Sequence, residues 1–389
     1  MMSNLLSISS TFSYIGYIII AVLVLLLMVL IHELGHYVAG KILKFKINEF
    51  SVGFGPKILQ KKKKNGELIT LRAFPLGGYC AFEGENEDGN TNPESFSNQK
   101  PWKRLIVLFS GAFFNFLSAI IFSFVLLMAN GYDLVQVKDV NSTSINYEIL
   151  QENDIIYGVN DKEIDFVSDD NFSVLVTEYC ETHYSKYTGL DLTSNYSFRK
   201  DNKTYYMKTQ EIPLNIERDN KKIDQIAYLQ VIYDSEGNYS GWSLLNTEKE
   251  TTEFLIGNYQ YSFGESLINC VPFTFKWAWK VLVIFGQLIT GQLSITALTG
   301  PVGTINMIAS FTQQSASFLL VLLPLIAVNL AVFNLLPIPA LDGFQMIFTA
   351  IEWVRKKPIK QNIVNAINNI GLFALLGFVI IIDIIQIII

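Results

Sequence analysis

Ala21-Val-Leu-Val-Leu-Leu-Leu-Met-Val-Leu-Ile31 runs without a polar residue straight into His32-Glu33-Leu34-Gly35-His36. The apolar run reads as a helix that crosses a bilayer, and it ends in H-E-x-x-H. Two of the chain's three histidines are thus four positions apart on one helix face, where both imidazoles can bind one metal ion. Glu33 stands beside them and can take a proton from metal-bound water. Lipid is a poor medium for a carboxylate and two imidazoles, so the default reading turns all three toward the interior of a helix bundle. The plain alternative is an interfacial His pair with no metal; a second cluster of candidate ligands, described below, weakens it.

Working outward, the rest of the chain is as apolar as this segment demands. Hydrophobic residues make up 50% and charged residues 16% of the 389 residues, and mean hydropathy is +0.31. These values indicate an integral membrane protein. A net charge of -6 argues against a nucleic-acid partner. Cys80, Cys180 and Cys270 are scattered, so neither a disulfide scaffold nor a thiolate metal site is expected.

Four stretches are long enough to span: residues 12–37, 105–128, 316–336 and 367–389. A fifth, residues 267–290, is interrupted by Asn269, Pro272, Lys276 and Lys280, and its Trp277 and Trp279 suit a helix lying on the membrane surface. Lys and Arg crowd residues 41–104, including the run 61–64, and recur at Arg355, Lys356, Lys357 and Lys360. Both loops are then cytoplasmic, with both termini outside. The N-terminus lacks a basic leader region, so the first helix reads as permanent rather than cleaved.

Between the spans, residues 131–262 are polar and external on this topology. Alternation in Val135-Gln-Val-Lys-Asp-Val140 and Ala227-Tyr-Leu-Gln-Val-Ile-Tyr233 predicts strands. Asn160-Asp161, Asp201-Asn202 and Glu236-Gly237-Asn238 supply turns. On the cytoplasmic side, residues 50–56 and 68–74 predict a hairpin around the lysine run, with a bend at Pro75-Leu-Gly77-Gly78-Tyr79. Such a hairpin follows directly from the His helix. Its edge could hold an extended peptide by backbone hydrogen bonds, or it could be an ordinary amphipathic hairpin.

The third span leads into Asn329-Leu-Ala-Val-Phe-Asn334-Leu-Leu-Pro337-Ile-Pro339-Ala-Leu341-Asp342-Gly343. Two prolines break the helix and free backbone at membrane depth, which is tolerated where it lines a cavity. His32, His36 and Asp342 would complete the three-ligand set of a catalytic zinc ion, leaving a position open for water. The competing role for Asp342 is a helix N-cap. Asp383, the other ionisable residue at depth, has no obvious partner in sequence and reads as interfacial.

His32-Glu-Leu-Gly-His-Tyr-Val-Ala-Gly-Lys41, Phe50-Ser-Val-Gly-Phe-Gly-Pro-Lys-Ile58, Phe74-Pro-Leu-Gly-Gly-Tyr79, Gly300-Pro-Val-Gly303 and the Asn334–Gly343 stretch occur in that order. The chain resembles the site-2 proteases, intramembrane zinc metalloproteases, and among them the bacterial regulator of sigma-E protease type. The resemblance implies Zn2+ held by His32, His36 and Asp342, with Glu33 as base, Asn334 and Pro337 as substrate contacts, and Gly77 and Gly78 in the substrate-holding hairpin. It also implies an external PDZ-like domain, to which Ile149-Leu-Gln-Glu-Asn-Asp154-Ile-Ile-Tyr-Gly-Val-Asn160-Asp161-Lys-Glu-Ile164 is similar, although the usual glycines are replaced. The safer role for that domain is a size filter rather than a peptide binder. Further departures are Gly111-Ala-Phe-Phe-Asn115-Phe116 without the usual proline, Cys80-Ala-Phe after Tyr79, and Phe344 after Asp342-Gly343.

The expected fold is a mainly α-helical membrane protein of about four spans, with a membrane-associated β-hairpin and an external PDZ-like α+β domain. Its expected segments are 1–40 with the His motif, the loop 41–104, the span 105–130, the external domain 131–262, the interfacial helix and Gly300-Pro-Val-Gly segment 263–315, and the last two spans 316–389. The expected activity is endopeptidase cleavage of transmembrane proteins or peptides in the cell membrane, near its cytoplasmic side. Substrates implied by the resemblance are anti-sigma factors, trimmed first by a site-1-type protease, or signal-peptide remnants. A membrane-anchored enzyme with a soluble zinc domain would need a further ligand downstream; His183 is the one remaining histidine, and it is external on this topology. An inactive scaffold and a transporter fit the intact motifs and the apolar spans less well.

Overall fold

The computed structural model describes residues 2–388 except 86–91, 93, 133, 166–167, 169, 189–195, 202, 247–250, 295, 297 and 358. Two compact units emerge: Met1–Val125 with Leu267–Ile389, and Leu126–Ser266.

The first unit begins with α1 (Met2–Ile42), apolar enough over Tyr14–Ile42 to cross a membrane. Lys41 in its last turn complements the helix dipole. The chain then forms β1 (Ile47–Lys62) and β2 (Leu68–Phe82), the hairpin expected from sequence. The hairpin is folded over on itself. Residues 49–52 lie between residues 68–71 on one side and 78–81 on the other, while residues 59–62 pair with 68–71 from beyond. Gly77, at φ +119°, makes the bend that brings the end of β2 back, a backbone angle side chains disfavour. Residues 78–82 therefore form an edge of this small sheet.

Glu67 ties the hairpin to α1. Its carboxylate, 1% exposed, accepts from Tyr37 Oη at 2.8 Å, Lys63 Nζ at 3.0 Å and Asn65 Nδ2 at 3.1 Å, and pairs with Lys41. Burial pushes this carboxyl up, but hydrogen bonds from Lys41, Lys63, Asn65 and Tyr37 outweigh it and hold the group at about 2, against an ordinary 4.5. A depressed carboxyl contributes stability above its unfolded value and loses it as pH falls through the folded one. Glu67→Gln is thus expected to destabilise the protein by about 1–3 kcal/mol at pH 7. Thermal unfolding in detergent should show that deficit shrinking as pH drops from 4.5 toward 2; a pH-independent deficit would mean that charge plays no part.

Next comes α2 (Pro101–Ala129), with proline at its first position, where the missing N–H costs nothing. Leu108, Ala112, Asn115, Ala119, Ser123 and Leu126 form its buried stripe at helical spacing.

The second unit contains β3 (Val135–Val140), β4 (Ile155–Val159), β5 (Lys162–Glu163), α3 (Phe172–His183), β6 (Tyr196–Lys200), β7 (Lys203–Arg218), β8 (Lys221–Tyr233), β9 (Tyr239–Ser243), β10 (Leu245–Asn246), β11 (Thr251–Thr252) and β12 (Phe254–Asn258). The main sheet runs β12-β3-β4-β7-β8-β9, with β5 on β4 and β6 on β7. The two predicted strands are present, as β3 and within β8, and the turn residues Asn160, Asp161, Asp201 and Gly237 have positive φ. The longest pairing, β7 with β8, turns at Asp219-Asn220, both left-handed. Val137, Ile156, Ile212, Leu214, Leu229 and Val231 form the core with Leu175, Val176 and Cys180 of α3. Asp154, 1% exposed, is paired with Arg218 at 2.6 Å.

The chain returns to the first unit through α4 (Phe263–Ile289), α5 (Pro301–Gln314), α6 (Phe318–Leu335), α7 (Asp342–Arg355) and α8 (Gln361–Ile388). Residues 267–289 of the stretch expected to lie on the membrane surface fall within one helix. α4 is one continuous helix, and by length and composition it is one of five helices among the described residues that could cross a membrane. Pro272 is accommodated within it, and Cys270, Phe273, Trp277 and Val281 form a buried stripe. Thr274 donates to Ser123 Oγ of α2 at 2.9 Å. Asp383 is not partnerless either. Its carboxylate accepts from the Val302 and Gly303 N–H groups at 3.4 and 3.2 Å, at the N-terminus of α5, where a negative charge is favoured. That partner lies 80 residues away in sequence, beyond the reach of local pattern.

Candidate active site

The helical spacing of His32 and His36 puts both imidazoles on the face of α1 that meets α2. The contact is close because two glycines permit it. A Cβ on Gly35 would fall 2.3 Å from the Ser110 carbonyl oxygen, and one on Gly111 would fall 2.4 Å from His36 Nε2. The third candidate ligand arrives through the broken link after α6. Ala340 takes φ +75°, and the chain turns so tightly that a Cβ on Gly343 would lie 2.4 Å from the Leu335 and Leu336 carbonyl oxygens. That turn sets Asp342 at the start of α7. The cap position itself falls on Leu341, and the Asp342 carboxylate points to the histidines.

Asp342 Oδ2 stands 3.0 Å from His32 Nε2 and 3.2 Å from His36 Nε2, and the two Nε2 atoms are 3.1 Å apart. Three donors at the corners of a tetrahedral zinc site, with bonds near 2.0–2.1 Å, would be roughly 3.3 Å apart. Asp342 Oδ2 is buried with no hydrogen-bond donor, as a carboxylate oxygen reserved for a cation would be. His36 Nδ1 lies 2.8 Å from the Val107 carbonyl, which fixes the proton on Nδ1 and leaves the Nε2 lone pair free. His32 Nδ1 faces the side-chain amides of Asn334 at 3.3 Å and Asn115 at 3.5 Å. Asn115 Oδ1 is buried and unpaired; turning its amide over would give the His32 Nδ1–H an acceptor. The residues present therefore fit a zinc ion.

Glu33 lies beside the cluster, its carboxylate against the Cys80 backbone N–H on the edge of β2. A cavity of about 540 Å³ joins these groups, walled by His32, Glu33, His36, Asn334, Asp342 and the stretch from Tyr79 to Phe82. Among the described residues its wall takes in Asn334 but not Pro337, Gly77 or Gly78. Gly78 is nonetheless close: its Cβ position is 3.7 Å from Glu33 Cγ. Pro337 serves the link between α6 and α7. His183 ends α3, bonded to the Tyr179 carbonyl at 3.0 Å, and belongs to the other unit.

The match to Peptidase family M50 extends over residues 20–378. The chain belongs to peptidase family M50. This M50 peptidase is 29% identical to a Clostridium perfringens protein named "Putative zinc metalloprotease", over 95% of this chain and 97% of that one. A protein of the same description from Fusobacterium nucleatum is 29% identical over 94% of this chain and 97% of its own. One from Helicobacter pylori is 27% identical over 91% and 94%.

Two contributors to the M50 site escaped the sequence reading. Gly111 was noted for its missing proline neighbour, yet its service is to leave room for both imidazoles. Glu85, which lines the cavity, carries no motif signal in a single sequence.

Proposed function

We infer that this M50 peptidase is a zinc-dependent endopeptidase that cuts transmembrane segments of other membrane proteins inside the bilayer. The observation that carries the reading is the convergence of His32, His36 and Asp342, with Glu33 beside them, at the end of a helix apolar enough to span. His32, His36 and Asp342 would hold the ion. Bound zinc supplies Lewis acidity, which acidifies water and polarises the scissile carbonyl. Glu33 takes the proton from the attacking water and passes it to the amide nitrogen as the C–N bond breaks.

A substrate helix must unwind locally before cleavage, because its amides are otherwise buried in their own hydrogen bonds. The freed strand would then need new partners, and residues 78–82 offer a sheet edge along the cavity on which no further strand lies among the described residues. Its Cys80 and Phe82 N–H groups meet the Glu33 and Glu85 carboxylates and would have to be shared with the substrate. Asn334 would add a side-chain contact, Pro337 would shape the wall behind it, and Gly77 and Gly78 would keep the edge open. The lysine-rich hairpin and the Arg355–Lys360 loop favour a cytoplasmic position for this end of the site, with both termini outside. By resemblance, the substrates are anti-sigma factors already trimmed by a site-1-type protease, or signal-peptide remnants.

The test uses purified protein in detergent with a tagged single-span substrate. Removing zinc with a chelator should abolish cleavage, and adding zinc back should restore it. A protein that binds no zinc and cuts nothing would leave the scaffold reading in its place.

A further inference from the structure

The face of α7 that delivers Asp342 carries three more residues at helical spacing: Gln345, Thr349 and Glu352. Gln345 lines the catalytic cavity and Thr349 is buried. Glu352 lies about 15 Å along the helix from Asp342. There its Oε2 accepts from Arg104 Nη1 at 2.6 Å, with the two side chains only 11% and 13% exposed. Its other oxygen accepts from the Ile359 N–H at 2.8 Å, in the link to α8. One carboxylate thus joins the start of α2, the end of α7 and the chain leading into α8. The Arg104 guanidinium also lies over the Phe96 ring, 5.5 Å from its centroid, which restricts where it can go.

The partner helix has a matching face. Arg104, Val107, Gly111 and Asn115 follow one another along α2 at helical spacing. The Val107 carbonyl holds His36, Gly111 leaves room for both rings, and Asn115 faces His32. The ion pair therefore sits one turn from the residue that orients His36, on the same side of α2. This helix seats two of the candidate ligands, and α7 brings the third. Among the described residues, Arg104–Glu352 is the one side-chain hydrogen bond between these two helices. Arg104 Nε and Thr349 Oγ1 line a cavity of about 30 Å³ beside it, buried without hydrogen-bond partners, and so add no second tie.

Stability alone is a poor reason for such a pair. Two charges stripped of water gain little over well-packed apolar side chains of similar size. What the pair supplies is a fixed distance and direction, because neither charge can be left buried without the other.

We propose that Arg104 and Glu352 are positioning residues for the metal centre: their ion pair fixes α7 against α2 so that the Asp342 carboxylate meets the two imidazoles. The inference rests on the metal reading above and adds to it a determinant remote from the ligand it governs. The near end of α7 is held by the tight turn at Gly343 and by Asn368, whose Oδ1 accepts from the Ala340 N–H at 3.3 Å. A helix held at one end can still turn about its axis, and the Asp342 carboxylate turns with it. The tie at Glu352 removes that freedom.

The test uses the full chain in detergent. It reads zinc affinity by chelator competition, the visible spectrum of the cobalt-substituted protein, and thermal unfolding of the metal-free protein. The variants are Arg104→Ala, Arg104→Lys, and Arg104→Met combined with Glu352→Met. The double variant leaves no lone buried charge, so it folds where a single alanine does not. Arg104→Ala and the double variant should each bind zinc about 10-fold more weakly than wild type. Their cobalt spectra should absorb more weakly, as the third ligand leaves its tetrahedral position. Arg104→Lys keeps a cation facing Glu352 and should recover part of both.

The control is Asp154→Asn, which breaks a buried ion pair of the same 2.6 Å length in the other unit. It should unfold at a lower temperature yet keep the zinc affinity and cobalt spectrum of wild type. A double variant with wild-type affinity and spectrum would overturn the inference. So would an equal loss of zinc in Asp154→Asn, since zinc binding would then only follow stability. A wild type that binds neither zinc nor cobalt overturns the metal reading itself, and no variant is needed to see it.

Discussion

Glu33→Gln should lower the turnover number for a single-span substrate by about 10²–10⁴-fold while leaving the zinc content unchanged. The substitution keeps the size of the side chain and retains an oxygen to accept the Cys80 N–H that lies against Glu33. What it removes is the capacity to take a proton from water. None of the three candidate ligands, His32, His36 and Asp342, is altered, so zinc affinity has no reason to change. Metal analysis and substrate cleavage on the same preparation check both halves. A Gln variant that cuts at the wild-type rate would remove Glu33 from the chemistry, and one that loses its zinc would move it into the ligand set.

Gly111→Ala should weaken zinc binding by about 100-fold or more, although it touches no ligand atom covalently. The added methyl would sit 2.4 Å from His36 Nε2, 2.6 Å from His32 Cε1 and 2.7 Å from His36 Cε1. The His36 ring has little room to retreat, because its Nδ1 is fixed on the Val107 carbonyl. The sign of the effect separates site from helix: alanine in place of glycine favours an α-helix by roughly 0.8–1.0 kcal/mol. A loss of zinc with helix content intact therefore comes from the imidazoles being pushed apart. Gly16→Ala on α1 is the control, since nothing lies within 4 Å of the added methyl. Wild-type zinc affinity in Gly111→Ala would show that the two helices can separate at that crossing at little cost.

The part of this protein legible in its sequence is the part set by local spacing. Two histidines four apart need only a helix to share a face, and alternation over residues 135–140 needs only its own strand. Asp342 was reachable because prolines and a glycine mark the turn that delivers it. What stayed hidden depends on partners distant in the chain. Asn269, Pro272, Lys276 and Lys280 break up the apolar pattern of α4, and sequence does not reveal the buried stripe through which Thr274 meets Ser123 of α2. Asp383 looked partnerless because its partners are the backbone amides of Val302 and Gly303. The doubled-over hairpin brings residues 49–52 between two stretches of the same strand, a register that no turn signal specifies. Gly111 needs the neighbouring helix before its missing side chain means anything.

The site draws on both ends of the chain: Asn334 reaches His32 from 302 residues away in sequence. On a ribosome, the histidine helix enters the membrane long before Asp342 has been made. The nascent chain at that stage carries His32, Glu33 and His36 but not Asp342, so on the proposed ligand set it would hold the ion less well than the finished protein. On that ligand set, metal loading would be a late act of assembly, completed only once the turn before α7 has been made.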